Sequence, residues 1–201
     1  KVPVNFEKLG VQAMSISAHK LNGPKGVGAL ILDKRASINP LIEGGGHEDG
    51  LRSGTLNVPA IVGFGKACEL ARDRIKFLAE SSKGLRFFLE KKLIDMGATI
   101  FGEGEKRIPN TSYFAIPAVV GETLVMALDS AGFAVSSGAA CSSNEDGPSE
   151  VLKAMGIEED IALGAVRVSF GPDNTKGEVE KFSAQLENII KNFRSMNAIA
   201  I

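Results

Sequence analysis

Apolar residues along this chain change period several times, and the changes mark its elements. Residues 11–17 alternate loosely and end in polar positions. This is the pattern of a strand that presents Ser17, His19 and Lys20 at its C-terminal end. Asn22-Gly-Pro-Lys-Gly reads as a turn, and residues 27–32 as a second apolar strand closed by Asp33-Lys34-Arg35. The tract 43–57 is polar, rich in glycine and without periodicity; a loop that long is usually functional or disordered.

Pro59 opens a long helical pattern. Ile61, Phe64, Ala67, Cys68, Ala71, Ile75 and Leu78 follow the three-and-four spacing of one helix face. The spacing continues through Leu85, Phe88, Leu89, Leu93 and Met96 to a cap at Gly97, so one helix or a near-continuous pair is expected. After Gly97 the units shorten. Strands are expected at 99–101, 112–116, 133–135 and 165–170, and helices at 122–130, 149–155 and 175–194. The change of character places a boundary within the long helix, near residues 75–95. The expected parts are 1–80 and 81–201, in an α/β chain whose second part is a small α+β domain.

Composition narrows the class. The chain has 201 residues, 44% of them hydrophobic, and is globular. A net charge of -1 argues against nucleic acid or an anionic membrane surface as the main partner. No apolar run is long enough to span a bilayer, and residues 1–7 lack the apolar core of a signal peptide. Two cysteines make no disulfide framework, which points to a reducing, cytoplasmic setting. Two cysteines and two histidines without ligand spacing give no metal site. The chain does not begin with Met and enters structure at once, so it is expected to be the interior of a longer protein.

Four residues then draw notice. Lys20 follows a strand, beside Ser17 and His19, which can both donate hydrogen bonds to a phosphate. An ordinary surface lysine is the default reading, but strand ends are where α/β folds place ligands. Cys141 lies in Ser-Ser-Gly-Ala-Ala-Cys-Ser-Ser, where small polar neighbours form no apolar stripe, and its thiol is expected to be exposed and mobile. Cys68, by contrast, falls on the apolar helix face and reads as structural. Arg167 alternates with Val166 and Val168, and its fork suits a carboxylate. Thr55, after Arg52-Ser53-Gly54, offers a hydroxyl to a phosphate. His47 reads as an exposed loop residue, and Gly44–Gly46 fits no phosphate-binding fingerprint, lacking the strand-turn-helix context. An amine able to form a Schiff base together with a mobile nucleophilic thiol points to pyridoxal-phosphate chemistry on a sulfur-bearing substrate.

The chain resembles the cysteine desulfurases, fold-type I pyridoxal-phosphate enzymes grouped with the class-V aminotransferases. The resemblance rests on Ser-Ala-His-Lys followed by Gly-Pro-Lys-Gly-Val-Gly-Ala-Leu, on Gly-Gly-Gly-His-Glu-Asp-Gly-Leu-Arg-Ser-Gly-Thr-Leu-Asn, on the cysteine segment, on Ser-Glu-Val-Leu-Lys-Ala-Met-Gly and on Val-Arg-Val-Ser-Phe-Gly. These strings stand in the family's order across nearly the whole chain. The resemblance implies that Lys20 holds pyridoxal 5'-phosphate through a Schiff base. Ser17 and His19 would bind the cofactor phosphate, with Thr55 contributing across a homodimer interface. Arg167 would hold the carboxylate of L-cysteine, and Cys141 would take its sulfur as a persulfide, releasing alanine. It further implies a sulfur-acceptor or iron–sulfur scaffold protein as partner. A selenocysteine lyase or another class-V relative is the alternative, as is an inactive fragment. The family's chains are about twice this length, and the cofactor ligands of their first half have no counterpart here. The resemblance therefore covers the end of the large-domain sheet and the small domain, and the chain alone is expected to be inactive.

Overall fold

The computed structural model describes residues 1–138 and 147–199, with side chains to residue 195. The chain divides into two compact units, Val2–Lys76 and a second that begins at Phe77. The division falls inside one continuous helix, α2 (Val58–Asp95).

The first unit opens with a short helix, α1 (Phe6–Leu9). The Asn5 side chain accepts from Lys8 N–H at 2.8 Å to start it, and Gly10 ends it in the left-handed region. Strand β1 (Ala13–Ser17) pairs antiparallel with β2 (Gly28–Leu32), from Ala13 opposite Leu32 to Ser17 opposite Gly28. Neither strand contains a buried residue. The buried apolar side chains of this unit are Ala18, Phe64 and Ala67, which join the turn after β1 to the start of α2. Large apolar side chains stay at the surface, with Leu41 96% and Val62 66% exposed. The 43–57 tract, expected to be structureless, holds a 3-10 turn at Glu48–Gly50 and closes on itself. There Ser53 N–H donates to Ile42 O at 3.0 Å, and Gly46 N–H donates to the buried Ser53 hydroxyl at 3.3 Å.

Helix α2 begins where Asn57 Oδ1 accepts from Ala60 N–H. Pro59 is tolerated there because a first-turn residue has no intrahelical acceptor to lose. It ends as the sequence predicts. Gly97 takes a left-handed φ of 83°, its N–H reaches Ile94 O, and Ala98 N–H reaches Leu93 O.

The second unit is a three-stranded antiparallel sheet, β3 (Thr99–Ile100), β4 (Thr111–Ala115) and β5 (Ala165–Ser169), in that order across the sheet. One face carries Ile100, Phe114, Val166 and Val168. They are buried against Leu89 and Leu93 of α2, Leu124 and Leu128 of α3 (Gly121–Ser130), and Leu186 and Ile190 of α6 (Lys176–Ile199). Burying each of these leucines contributes on the order of 2 kcal/mol. The opposite face carries Tyr113, Ala115 and Ala165. It meets Phe101, Leu152 of α4 (Glu150–Ala154) and Ala162 of α5 (Glu159–Leu163). Helix α3 starts hard against β5: a Cβ on Gly121 would stand 2.6 Å from Ala165 O. Only glycine permits that approach.

A buried ionic cluster ties α2 to the connection between β3 and β4. Arg107 donates two hydrogen bonds to the Glu90 carboxylate, at 2.9 and 3.1 Å, and Arg86 Nη1 donates to Ile108 O at 2.8 Å. Arg86 and Glu90 are each 6% exposed.

Two expectations are corrected. Residues 133–135 form no strand. Phe133 instead turns its ring edge-to-face onto Phe182 at 5.4 Å, which draws the segment off β5 and leaves Ser136 as a single bridge to Arg167. A cleft of about 320 Å³, lined by Phe133, Val135, Ser169, Phe170 and Phe182 among others, opens between them. Cys68 is exposed rather than structural. Phe64 and Ala67 take the inward positions of this part of α2, and the next residue faces outward.

Candidate active site

Residues with chemistry gather in two places, one in each unit. The first is the turn after β1. The strand ends at Ser17, and Ala18–Leu21 forms one 3-10 turn, so His19 and Lys20 stand on a turn rather than on the strand itself. Ala18 is fully buried and its N–H donates to Val27 O at 3.1 Å, which anchors the turn. Asn22 closes it with a left-handed φ of 62°. Two glycines let the turn and the adjoining Pro24 lie against α2. A Cβ on Gly23 would stand 3.0 Å from the Ala67 Cβ, and one on Gly63 2.6 Å from the Pro24 ring.

Ser17, His19 and Lys20 are all exposed around this buried anchor. None of their side chains takes part in a hydrogen bond or ion pair among the described residues. A hydroxyl and an imidazole at this strand end and turn are donors that fit a phosphate, and the amine beside them is a nucleophile for a carbonyl carbon. Thr55 is exposed in the loop before α2, with no hydrogen bond to Ser17, His19 or Lys20. His47 is exposed as the residue preceding the Glu48–Gly50 turn.

The second place is the Tyr113 face of the β3–β4–β5 sheet. Arg167 lies at the middle of β5, half-buried, and its guanidinium has no ion pair or side-chain hydrogen bond among the described residues. Its main chain is fixed on the side away from β4: Arg167 N–H donates to Ser136 O at 2.6 Å, and Ser136 N–H donates to Arg167 O at 3.2 Å. The Ser136 hydroxyl donates to Gly138 O at 2.8 Å and bends the chain immediately after the bridge. Cys141 itself lies outside the described residues. Five peptide units separate it from Ser136, about 17 Å when fully extended.

Ser136 was not visible as a site residue in the sequence, because a single bridge leaves no periodic trace. Tyr113 was also missed. It pairs directly with Arg167 across β4 and β5, and alternation alone gives the face of a residue but not its partner. Among the described residues no group of three or more His, Cys, Asp or Glu side chains could hold a metal ion, and no helix is long and apolar enough to cross a membrane.

A comparison with known families matches residues 1–182 to the aminotransferase class-V model. The chain belongs to the class-V aminotransferase family. Like other class-V aminotransferases it has fold-type I architecture, in a family that works with pyridoxal phosphate. A protein named cysteine desulfurase from Gluconacetobacter diazotrophicus is 40% identical over 199 residues, which is 98% of this chain and 50% of that protein. Cysteine desulfurase IscS of Anaeromyxobacter sp. strain Fw109-5 is 43% identical over 204 residues, 99% of this chain and 50% of that one. Among solved structures, a NifS-like protein superposes with a TM-score of 0.83 at 41% identity, over 94% of this chain and 49% of its own. The chain thus spans about half the length of the curated relatives it matches.

Proposed function

We propose that this chain carries the lysine-bearing and cysteine-bearing half of a cysteine desulfurase that converts L-cysteine to L-alanine and leaves a persulfide on Cys141. The observation that carries the reading is Arg167. It is a partly desolvated guanidinium without a counter-charge among the described residues, held on a strand whose neighbour is the root of the Cys141 segment. Such a cation favours an anionic ligand, and a planar fork favours a carboxylate.

Each residue then has a distinct task. Arg167 grips the substrate carboxylate with two hydrogen bonds. Ser17 and His19 donate to the cofactor phosphate, and Lys20 Nζ holds the cofactor and afterwards carries a proton to and from the substrate Cα. Pyridoxal phosphate, when bound, supplies the electron sink for the carbanion at that carbon. The Cys141 thiolate attacks the substrate sulfur. An S–S bond forms, the substrate C–S bond breaks with its electron pair going to Cβ, and protonation there completes alanine. The sulfur on Cys141 then passes to an acceptor or iron–sulfur scaffold protein.

The exposed apolar surface of the first unit supports a further part of this reading. Further protein surface, from a second copy or from the other half of the fold, completes the cofactor site, with Thr55 contributing across a dimer interface. The 201-residue chain alone then binds pyridoxal phosphate weakly and releases negligible alanine. The test is alanine release and persulfide labelling in the complete protein. Cys141→Ser is expected to abolish both, while the cofactor's absorbance band stays. Undiminished alanine release in that variant overturns the role of Cys141. If selenocysteine turnover survives in it while cysteine turnover is lost, the enzyme is better described as a selenocysteine lyase.

A further inference from the structure

Tyr113 stands directly opposite Arg167 in the β4–β5 ladder. Arg167 spends its main-chain N–H and C=O on Ser136, so the Tyr113–Arg167 pair is of the non-hydrogen-bonded kind. In that kind of pair the side chains rise from the same face and approach most closely, with Cβ atoms about 5 Å apart. The ring of Tyr113 is fixed edge-to-face against Phe101, with centroids 5.1 Å apart, and packs beside the cluster that includes Leu152 and Ala162. Its hydroxyl oxygen is shielded from solvent and has no hydrogen-bond partner among the described residues.

An unpartnered, shielded phenol hydroxyl costs roughly 1–3 kcal/mol. Phenylalanine would fill the same apolar site without that cost, so packing alone does not account for the oxygen. Among the described residues, the neighbour whose own capacity is equally unused is the Arg167 guanidinium, a donor group beside an oxygen that can accept.

We propose that Tyr113 is a positioning residue. Its hydroxyl accepts a hydrogen bond from Arg167 when a carboxylate occupies the guanidinium, and so aims the fork at α-amino acids. This rests on the reading of Arg167 as a carboxylate site. The hydroxyl acts through Arg167 and makes no contact with the reacting atoms.

The chain offers its own probe, because Tyr113 is its sole tyrosine and it has no tryptophan. L-alanine is titrated into the chain while tyrosine absorbance and fluorescence are followed, with affinity measured by calorimetry. L-alanine is expected to perturb the Tyr113 band, and ethylamine, which lacks the carboxylate, to leave it unchanged. Tyr113→Phe is expected to bind L-alanine about ten-fold more weakly, the size of one lost hydrogen bond. Its thermal midpoint should be equal to or higher than that of the parent. That combination separates positioning from a purely structural role, which would lower the midpoint and leave affinity alone. Arg167→Lys is expected to lose binding. If Arg167→Lys loses binding while Tyr113→Phe keeps full affinity, the proposal for Tyr113 falls and the carboxylate site stands. If neither the parent chain nor the complete protein binds L-alanine, both fall. Should Tyr113→Phe not fold, an unperturbed tyrosine band in the L-alanine-saturated parent chain overturns the proposal by itself.

Discussion

Arg167 and Ser136 exchange two main-chain hydrogen bonds, and these form the only bridge between β5 and the segment that leads towards Cys141 among the described residues. The guanidinium-bearing strand and the start of the cysteine segment therefore share one fixed point. Ser136→Pro removes the donor N–H from that point. Amide exchange at Arg167 is expected to quicken at least ten-fold, and persulfide formation in the complete protein to fall further than cofactor binding does. Unchanged exchange at Arg167 would show that the bridge is not what holds this edge.

The Arg86–Glu90–Arg107 cluster leads to a stability prediction. Among the described residues, Glu90 is the one carboxylate between two largely buried guanidinium groups. Glu90→Ala leaves Arg86 without a counter-charge at 6% exposure. Removing one partner of a buried pair costs about 3–5 kcal/mol. Urea unfolding should show a loss of that order. A smaller loss is expected for Arg107→Ala, because Glu90 still lies 3.9 Å from Arg86 Nε.

A pH dependence arises at the start of α6. Glu178 accepts from Thr175 N–H at 2.7 Å while Thr175 Oγ1 accepts from Glu178 N–H at 3.3 Å, a reciprocal cap. The Thr175 backbone N–H, then the side chains of Asn174 and Thr175, hold the Glu178 carboxyl below its ordinary value of 4.5. A carboxyl with a lowered folded-state pKa stabilises at pH above its unfolded value and loses that contribution as pH falls through the folded value. The difference in thermal midpoint between the parent and Glu178→Gln is therefore expected to be constant at neutral pH and to vanish on acidification below 4.5. A difference that persists in strong acid would show that the charged carboxylate is not the source.

Cys68 is exposed, so a thiol reagent should reach it without unfolding. In a Cys141→Ser chain, one thiol per molecule is expected to react under native conditions. Reaction only after denaturant is added would place Cys68 inside.

Legibility in the sequence tracked periodicity. The second half of α2 was readable because Leu85, Leu89 and Leu93 all meet one continuous core, and α6 because Val179, Phe182, Leu186 and Ile190 do the same. Cys68 misled because the first part of α2 has only the small core of Ala18, Phe64 and Ala67 against it, so fewer of its apolar positions are covered. The 133–135 segment looked like a strand by composition, yet a side-chain contact with Phe182, distant in sequence, decided its path. Lys20, Arg167 and Cys141 stood out by residue type in unusual settings. Ser136 and Tyr113 acquire meaning only through pairings across strands, which local pattern does not encode.

The contact of Gly63 with Pro24 carries a consequence for anyone who surveys variants of this chain. Position 63 touches no proposed reactant, yet any side chain there must displace the proline ring that adjoins the turn bearing Lys20. A mutational survey scored by cofactor loading should therefore find an intolerant site on a helix more than forty residues downstream of the amine. Its intolerance would reflect the seating of the turn, and its chemistry would be that of a spacer.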